Sequence, residues 1–251
     1  MKKTYSIFIF FTCFLGCKIP HEDNSQKIYH AEKTSTEISI DGVLEDEWQT
    51  ANIVHFDYFY GCDKDIDKQK TTFRMLWDDE NLYLSYVCED QYLNAAETQR
   101  DGLPFLDDCV EVFLTPTATQ NKLHTCFEMN INKALNDIVY LEQFEGGKPG
   151  VIKAFNPEVQ VEISVQGTIN DNSDIDKGYV MEVAIPIKSF KGFDMYQPAK
   201  VGNTWSFLAI RQERNDANIG VRKASTIFEI DQLENIHNSS NFGFVKFVDD
   251  K

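Results

Sequence analysis

The sequence predicts an all-β protein, an antiparallel β-sandwich of the jelly-roll type with few short helices, and three observations carry that expectation. Apolar and polar residues alternate with a period of two through most of the chain. Turn-forming residues punctuate these runs, as in Asp78-Asp79-Glu80-Asn81 between two apolar stretches. Helical periodicity is confined to short pieces, with none of the helix–strand alternation that builds a parallel α/β sheet.

The first seventeen residues are different in kind. Lys2 and Lys3 form a positive start, and residues 7–15 are an apolar run too short to remain as a membrane-spanning helix. Phe14-Leu15-Gly16-Cys17 resembles the bacterial lipobox, which implies cleavage of residues 1–16 as a signal peptide and lipidation of Cys17. From Lys18 to about Lys27 the chain is polar, and residues 17–34 read as a lipidated tether ahead of a single domain over 35–251. That domain opens with a short strand at 37–40, the turn pair Asp41-Gly42 and a helical turn near 45–50. Residues 71–77 alternate around Phe73, Met75 and Trp77, and with 82–88 they form a hairpin across the polar turn. Further strands are expected at 109–114, 125–131, 159–165, 179–185, 205–211 and 243–248, with a second helical turn near 187–190. Two long loops, 90–107 and 215–241, stand out as places where function is carried. No low-complexity break or internal repeat divides the chain after Lys27.

Composition narrows the functional classes. Hydrophobic content of 42% supplies a core, while 24 basic against 40 acidic residues leave a net charge of −16. Removing residues 1–16 takes two lysines and no acids, which makes it −18. Such a field repels phosphate backbones, so no nucleic-acid partner is expected. Cys62, Cys88, Cys109 and Cys126 remain beyond the anchor. An even number in an exported chain permits disulfides, and Cys109 and Cys126 lie in neighbouring strands; buried thiols fit the pattern equally well. There is no CxxC pair and no Cys/His cluster, so no zinc site is expected. Asp63, Asp65 and Asp67 alternate, but without the glycine and distal glutamate of an EF-hand loop they read as a solvated turn. No metal or cofactor is expected, structural calcium being the one left open.

No nucleophile elbow, zinc-protease motif, phosphate loop or dinucleotide fingerprint is present, and the five histidines are scattered, so the chain is not expected to be an enzyme. The strand at 109–114 is more informative. If Val110, Val112 and Leu114 face the core, Cys109, Glu111 and Phe113 share the other face, as Cys126, Glu128 and Asn130 do on the next strand. Glu111, Glu128 and Asn130 then line one surface with groups that pair with sugar hydroxyls; a solvated sheet face fits the same pattern. Trp48, Trp77 and Trp205 sit among packing residues and read as core.

Ile40-Asp-Gly-Val-Leu-Glu-Asp-Glu-Trp48 resembles the opening of family 9 carbohydrate-binding modules. In the family's order follow Leu76-Trp-Asp-Asp-Glu-Asn-Leu-Tyr83, Phe105-Leu-Asp-Asp-Cys-Val-Glu-Val-Phe113, Phe127-Glu-Met-Asn130, Gly178-Tyr-Val-Met-Glu-Val-Ala-Ile-Pro186, Trp205-Ser-Phe-Leu-Ala-Ile-Arg211 and Asn241-Phe-Gly-Phe-Val-Lys-Phe247. The resemblance implies a DOMON-like β-sandwich whose better-known members clamp a terminal sugar between two tryptophans. Phe105 falls where one clamp ring stands, and Glu111 matches the acidic hydrogen-bonding position. His237 is the planar residue nearest the second ring's place. Glu128 replaces an arginine of the sugar binders. Arg100, Glu111 and Asn130 complete the implied polar rim. The expected partner is thus an oligo- or polysaccharide, held at the cell envelope by a lipoprotein of a polysaccharide-utilisation system, the anchor being its one membrane contact. Two other readings remain: a haem or redox domain using His124 and Met129, since some DOMON relatives carry haem, and a protein-binding lipoprotein without a ligand site.

Overall fold

The alternating runs build one long sheet that curls until its two halves face each other, the sandwich the sequence predicts. The computed structural model describes residues 27–62, 68–119, 122–214, 223–231 and 236–249. The signal segment, Cys17 and the Asp63–Asp65–Asp67 stretch lie outside the described residues.

The strands are β1 (Ile28–Lys33), β2 (Val54–His55), β3 (Tyr58–Tyr60), β4 (Thr71–Trp77), β5 (Asn81–Glu89), β6 (Cys109–Thr115) and β7 (Leu123–Asn130). They continue with β8 (Leu135–Leu141), β9 (Gly150–Ile152), β10 (Gln160–Gln166), β11 (Gly178–Pro186), β12 (Thr204–Glu213), β13 (Lys223–Thr226) and β14 (Gly243–Val248). The order across the sheet is β10-β11-β5-β4-β1-β14-β12-β6-β7-β8-β9, with β2 on β4 and β13 on β12 and β3. Neighbours are antiparallel except at the centre, where β1 runs parallel to both β4 and β14. The two expected helical turns are 3-10 helices, Asp46–Gln49 and Ile187–Phe190.

The core lies between the halves. Phe73 of β4 meets Tyr29 of β1 and Phe207 of β12, and Trp205 packs on Phe190 and Phe247. Tyr86 of β5 donates across the sandwich to the Glu111 carbonyl of β6 at 3.3 Å. Arg211 of β12 is buried between the halves, and its guanidinium bonds the Asp90 carboxylate at 2.8 Å and the Thr71 hydroxyl at 3.2 Å. A smaller cluster of Ile38, Trp48, Ala51, Leu76, Tyr83 and Ala184 seals the outer face of β4, β5 and β11. All three tryptophans are buried.

Three expectations need correction. Residues 28–33, read as tether, form the central strand β1, so the folded domain starts before residue 35. The tether reading rested on a weak apolar signal: only Tyr29 and Ala31 face the core, between the polar His30 and Glu32. Residues 37–40 form no ladder strand, and Ile38 serves the small cluster instead. The loop expected over 215–241 contains β13 and a 3-10 turn, Ser239–Asn241. On the point the sequence left open, Cys88, Cys109 and Cys126 are buried thiols outside any disulfide. Cys109 pairs with Asn130 and Cys126 with Phe113, so register holds the two cysteines apart.

Candidate functional site

Register decides which polar side chains meet. Glu111 on β6 stands directly opposite Glu128 on β7, which in turn stands opposite Asn136 on β8. Both glutamates are nearly inaccessible, 2% and 5% exposed. Like charges opposite one another on neighbouring strands are destabilising, and here each carboxylate has its own amide donor. Gln212 Nε2 of β12 donates to Glu111 Oε1 at 2.8 Å, and Asn136 Nδ2 donates to Glu128 Oε2 at 2.9 Å. The four side chains form a buried acid–amide row across β12, β6, β7 and β8.

One end of the face that carries this row is closed by the segment between β5 and β6. Asn130, on the same face as Glu128, donates to the Glu97 carbonyl and to Asp107 Oδ2, each at 2.8 Å. Its own oxygen accepts from the amides of Asn132 and Ala134. Asn130 therefore pins the segment to β7. Phe105 lies in the 3-10 turn Pro104–Leu106, partly buried, beside the exposed Leu103 and Leu106. Its carbonyl accepts from Arg214, whose amide in turn donates to Asp108 Oδ1 at 2.7 Å. Asp108 also accepts from the Asn94 amide, and burial, with Asp90 close by, pushes its carboxyl well above the usual range. Arg100 does not join the row. Its guanidinium pairs with Asp137, which alternates with Asn136 and so leaves the opposite face of β8, and it also bonds Asn156 and the Pro157 carbonyl.

The other end is aromatic. Phe113, His124 and Tyr140, from β6, β7 and β8, stand side by side with ring centroids at 5.2 and 5.1 Å and planes tilted by 30° and 29°. His237 enters above them and stacks on Tyr140 at 4.0 Å and on Phe113 at 4.9 Å, with interplanar angles of 13° and 15°. Those rings approach from strands on either side of β7, so both faces of the His237 imidazole are occupied. What His237 offers is an edge: its Nδ1 lies 3.1 Å from His124 Nε2 and 3.8 Å from Cys126 Sγ. Burial, and then the neighbouring His237, hold the His124 pKa well below the usual histidine value, so its ring is neutral. The sequence shows no local Cys/His cluster; the fold assembles one from positions 124, 126 and 237.

The family model described as "Carbohydrate family 9 binding domain-like" matches residues 40–250. The chain belongs to this family. Among solved structures it is similar to a family 9 carbohydrate-binding module from Caldicellulosiruptor kristjanssonii in complex with glucose, at 18% identity and a TM-score of 0.64, covering 90% of this chain and 97% of that one. A cellotriose complex of a family 9 module from the same organism matches at 18% identity and a TM-score of 0.62, over 90% and 95% of the two chains. A protein from Bacteroides uniformis matches at 15% identity and a TM-score of 0.63, over 88% and 99%. At such identities the likeness is one of fold. No curated protein matches.

Within the family's fold, the structure brings Glu111 and Glu128 together, sets Asn130 and Phe105 at one end of their face and His237 at the other, and turns Arg100 away. Sequence reasoning missed Gln212, Asn136 and Arg214. No strand is expected over 135–141 from the sequence, which hides β8 and with it the partner of Glu128. The haem alternative loses its ligand pair: His124 and Met129 leave opposite faces of β7, Met129 into the core opposite Val110.

Proposed function

We propose that this protein is a non-catalytic saccharide-binding module whose site is the face of β6 and β7 carrying Glu111 and Glu128, with Phe105 as its apolar wall. The observation that carries this reading is the acid–amide row itself. Two buried carboxylates set opposite each other, each tied to an amide, are a costly arrangement for a structural sheet and a suitable one for fixing hydroxyls, which both donate and accept. A pyranose adds an apolar C–H face that stacks on a ring, and the partly buried Phe105 with its exposed apolar neighbours supplies that wall. Asn130 acts here by positioning the wall, and Arg100 by bracing the same segment against β8. With both ring faces of His237 covered, it closes the far end of the face without serving as a second platform. Complexes of family members with glucose and cellotriose point to glucose-containing oligosaccharides as the first ligands to try.

The N-terminal sequence supports anchorage as a lipoprotein through Cys17, with residues 1–16 removed, and placement at the cell envelope in glycan capture for polysaccharide utilisation. Calorimetric titration with cello-oligosaccharides tests the site. Glu111→Gln is expected to weaken binding by about tenfold, the equivalent of about 1.4 kcal/mol from one lost charged hydrogen bond. Unchanged affinity would remove Glu111 from the site.

A further inference from the structure

The cluster at the aromatic end of the same face has a chemistry that sugar binding does not use. His124 and Cys126 are two residues apart on β7, so both side chains leave one face, and the chain leading into β14 lowers His237 onto them. One ligating atom from each lies within 4.8 Å of the others, with separations of 3.1 Å between the two imidazole nitrogens and 3.8 Å between sulfur and His237 Nδ1. Zinc bonds of about 2.0 Å to nitrogen and about 2.3 Å to sulfur, arranged tetrahedrally, set such donors roughly 3.4 and 3.6 Å apart. The observed separations lie within a few tenths of an ångström of those values. The stack of Phe113 and Tyr140 fixes the plane of His237, so it is already oriented.

We propose that His124, Cys126 and His237 form a binding site for a borderline-soft transition-metal ion, Zn²⁺ foremost, with the fourth position left to water or an exogenous donor. Two imidazoles and a thiolate select such ions over Ca²⁺ and Mg²⁺, which take oxygen ligands. The thiol ligates as thiolate and releases its proton on binding. His237 is the partly exposed ligand, which leaves that end of the site in reach of solvent.

The test uses the whole purified protein, reduced and stripped with chelator, then titrated with Zn²⁺ and separately with Co²⁺. The expected result is one equivalent per chain, a melting temperature raised by Zn²⁺ and restored by chelator, and a thiolate-to-cobalt charge-transfer absorption. Cys126→Ser is expected to abolish that absorption. His237→Gln, at a partly exposed position that spares the core, is expected to weaken Zn²⁺ binding by about 100-fold or more, since loss of an outer-shell partner alone costs 10- to 100-fold. The second variant decides the matter should Cys126→Ser fail to fold. No stoichiometric Zn²⁺ binding would overturn the proposal and leave a hydrogen-bonded histidine pair; binding unchanged in His237→Gln would overturn it in favour of ions held on the acidic surface.

Discussion

Single buried carboxylates organise this protein at the residue scale. Glu182 of β11 accepts the Trp48 indole N–H at 2.7 Å and the Gly42 and Asp41 amides at 2.7 and 3.2 Å, tying the opening Asp-Gly turn and the first 3-10 helix to the sheet. Glu182→Ala orphans all three donors at once. The expected loss is about 3 kcal/mol, read from the urea midpoint; a change within about 0.5 kcal/mol, ordinary for surface positions, would show that the turn docks without it. Asp137 behaves differently. Burial pushes its carboxyl up to about 6, with the Arg100 ion pair offsetting part of the rise. Between about pH 4 and pH 6 the native state therefore holds a proton that the unfolded chain has released, so this group's contribution to stability falls as pH rises through that window. Urea midpoints across the window are expected to decline more steeply in the wild type than in Asp137→Asn. Parallel profiles would contradict that assignment.

At the scale of elements, register does what composition cannot. The period-two pattern made β4, β5, β6, β7, β10, β11, β12 and β14 legible, because each alternates strongly and is bounded by turn residues. It failed where the alternation is carried by polar side chains. β8 begins Leu135-Asn-Asp, a turn signal that becomes strand because Asn136 bonds Glu128 and Asp137 pairs with Arg100. β1 was hidden for the same reason, its buried Glu32 reading as solvent-facing. Glu111 and Glu128 were legible as sharing one face, whereas their amide partners depend on which strands flank β6 and β7, and that is long-range information. Glycine shows the same dependence. Gly178, at the start of β11 with φ of +124°, leaves no room for a side chain: a Cβ there would lie 1.9 Å from the Cys88 carbonyl oxygen. Gly178→Ala is expected to cost about 2 kcal/mol or more through strain and a displaced β5–β11 ladder. A melting temperature equal to that of the wild type would mean that the ladder start yields freely.

For the whole molecule, the curl of the sheet closes on β1. This strand lies parallel between β4 and β14 and joins the halves whose facing surfaces make the core. Tyr29 reinforces the junction, its hydroxyl donating to the Asn52 carbonyl and accepting from the Met75 amide at 2.8 Å. Truncation before residue 27 is expected to keep cooperative melting, and truncation through residue 34 to abolish it, as followed by calorimetry; cooperative melting in the shorter chain would show that the halves hold together alone. The same closure gathers the buried Glu111 and Glu128 on one face of β6 and β7, with Phe105 beside it in the turn before β6, and the saccharide reading rests on that face. A glycan-array screen of the wild type, Phe105→Ala and Glu111→Gln tests it most directly. Saccharide hits are expected in the wild type, abolished by Phe105→Ala and weakened by Glu111→Gln. A blank array, or hits that survive both substitutions unchanged, would contradict it.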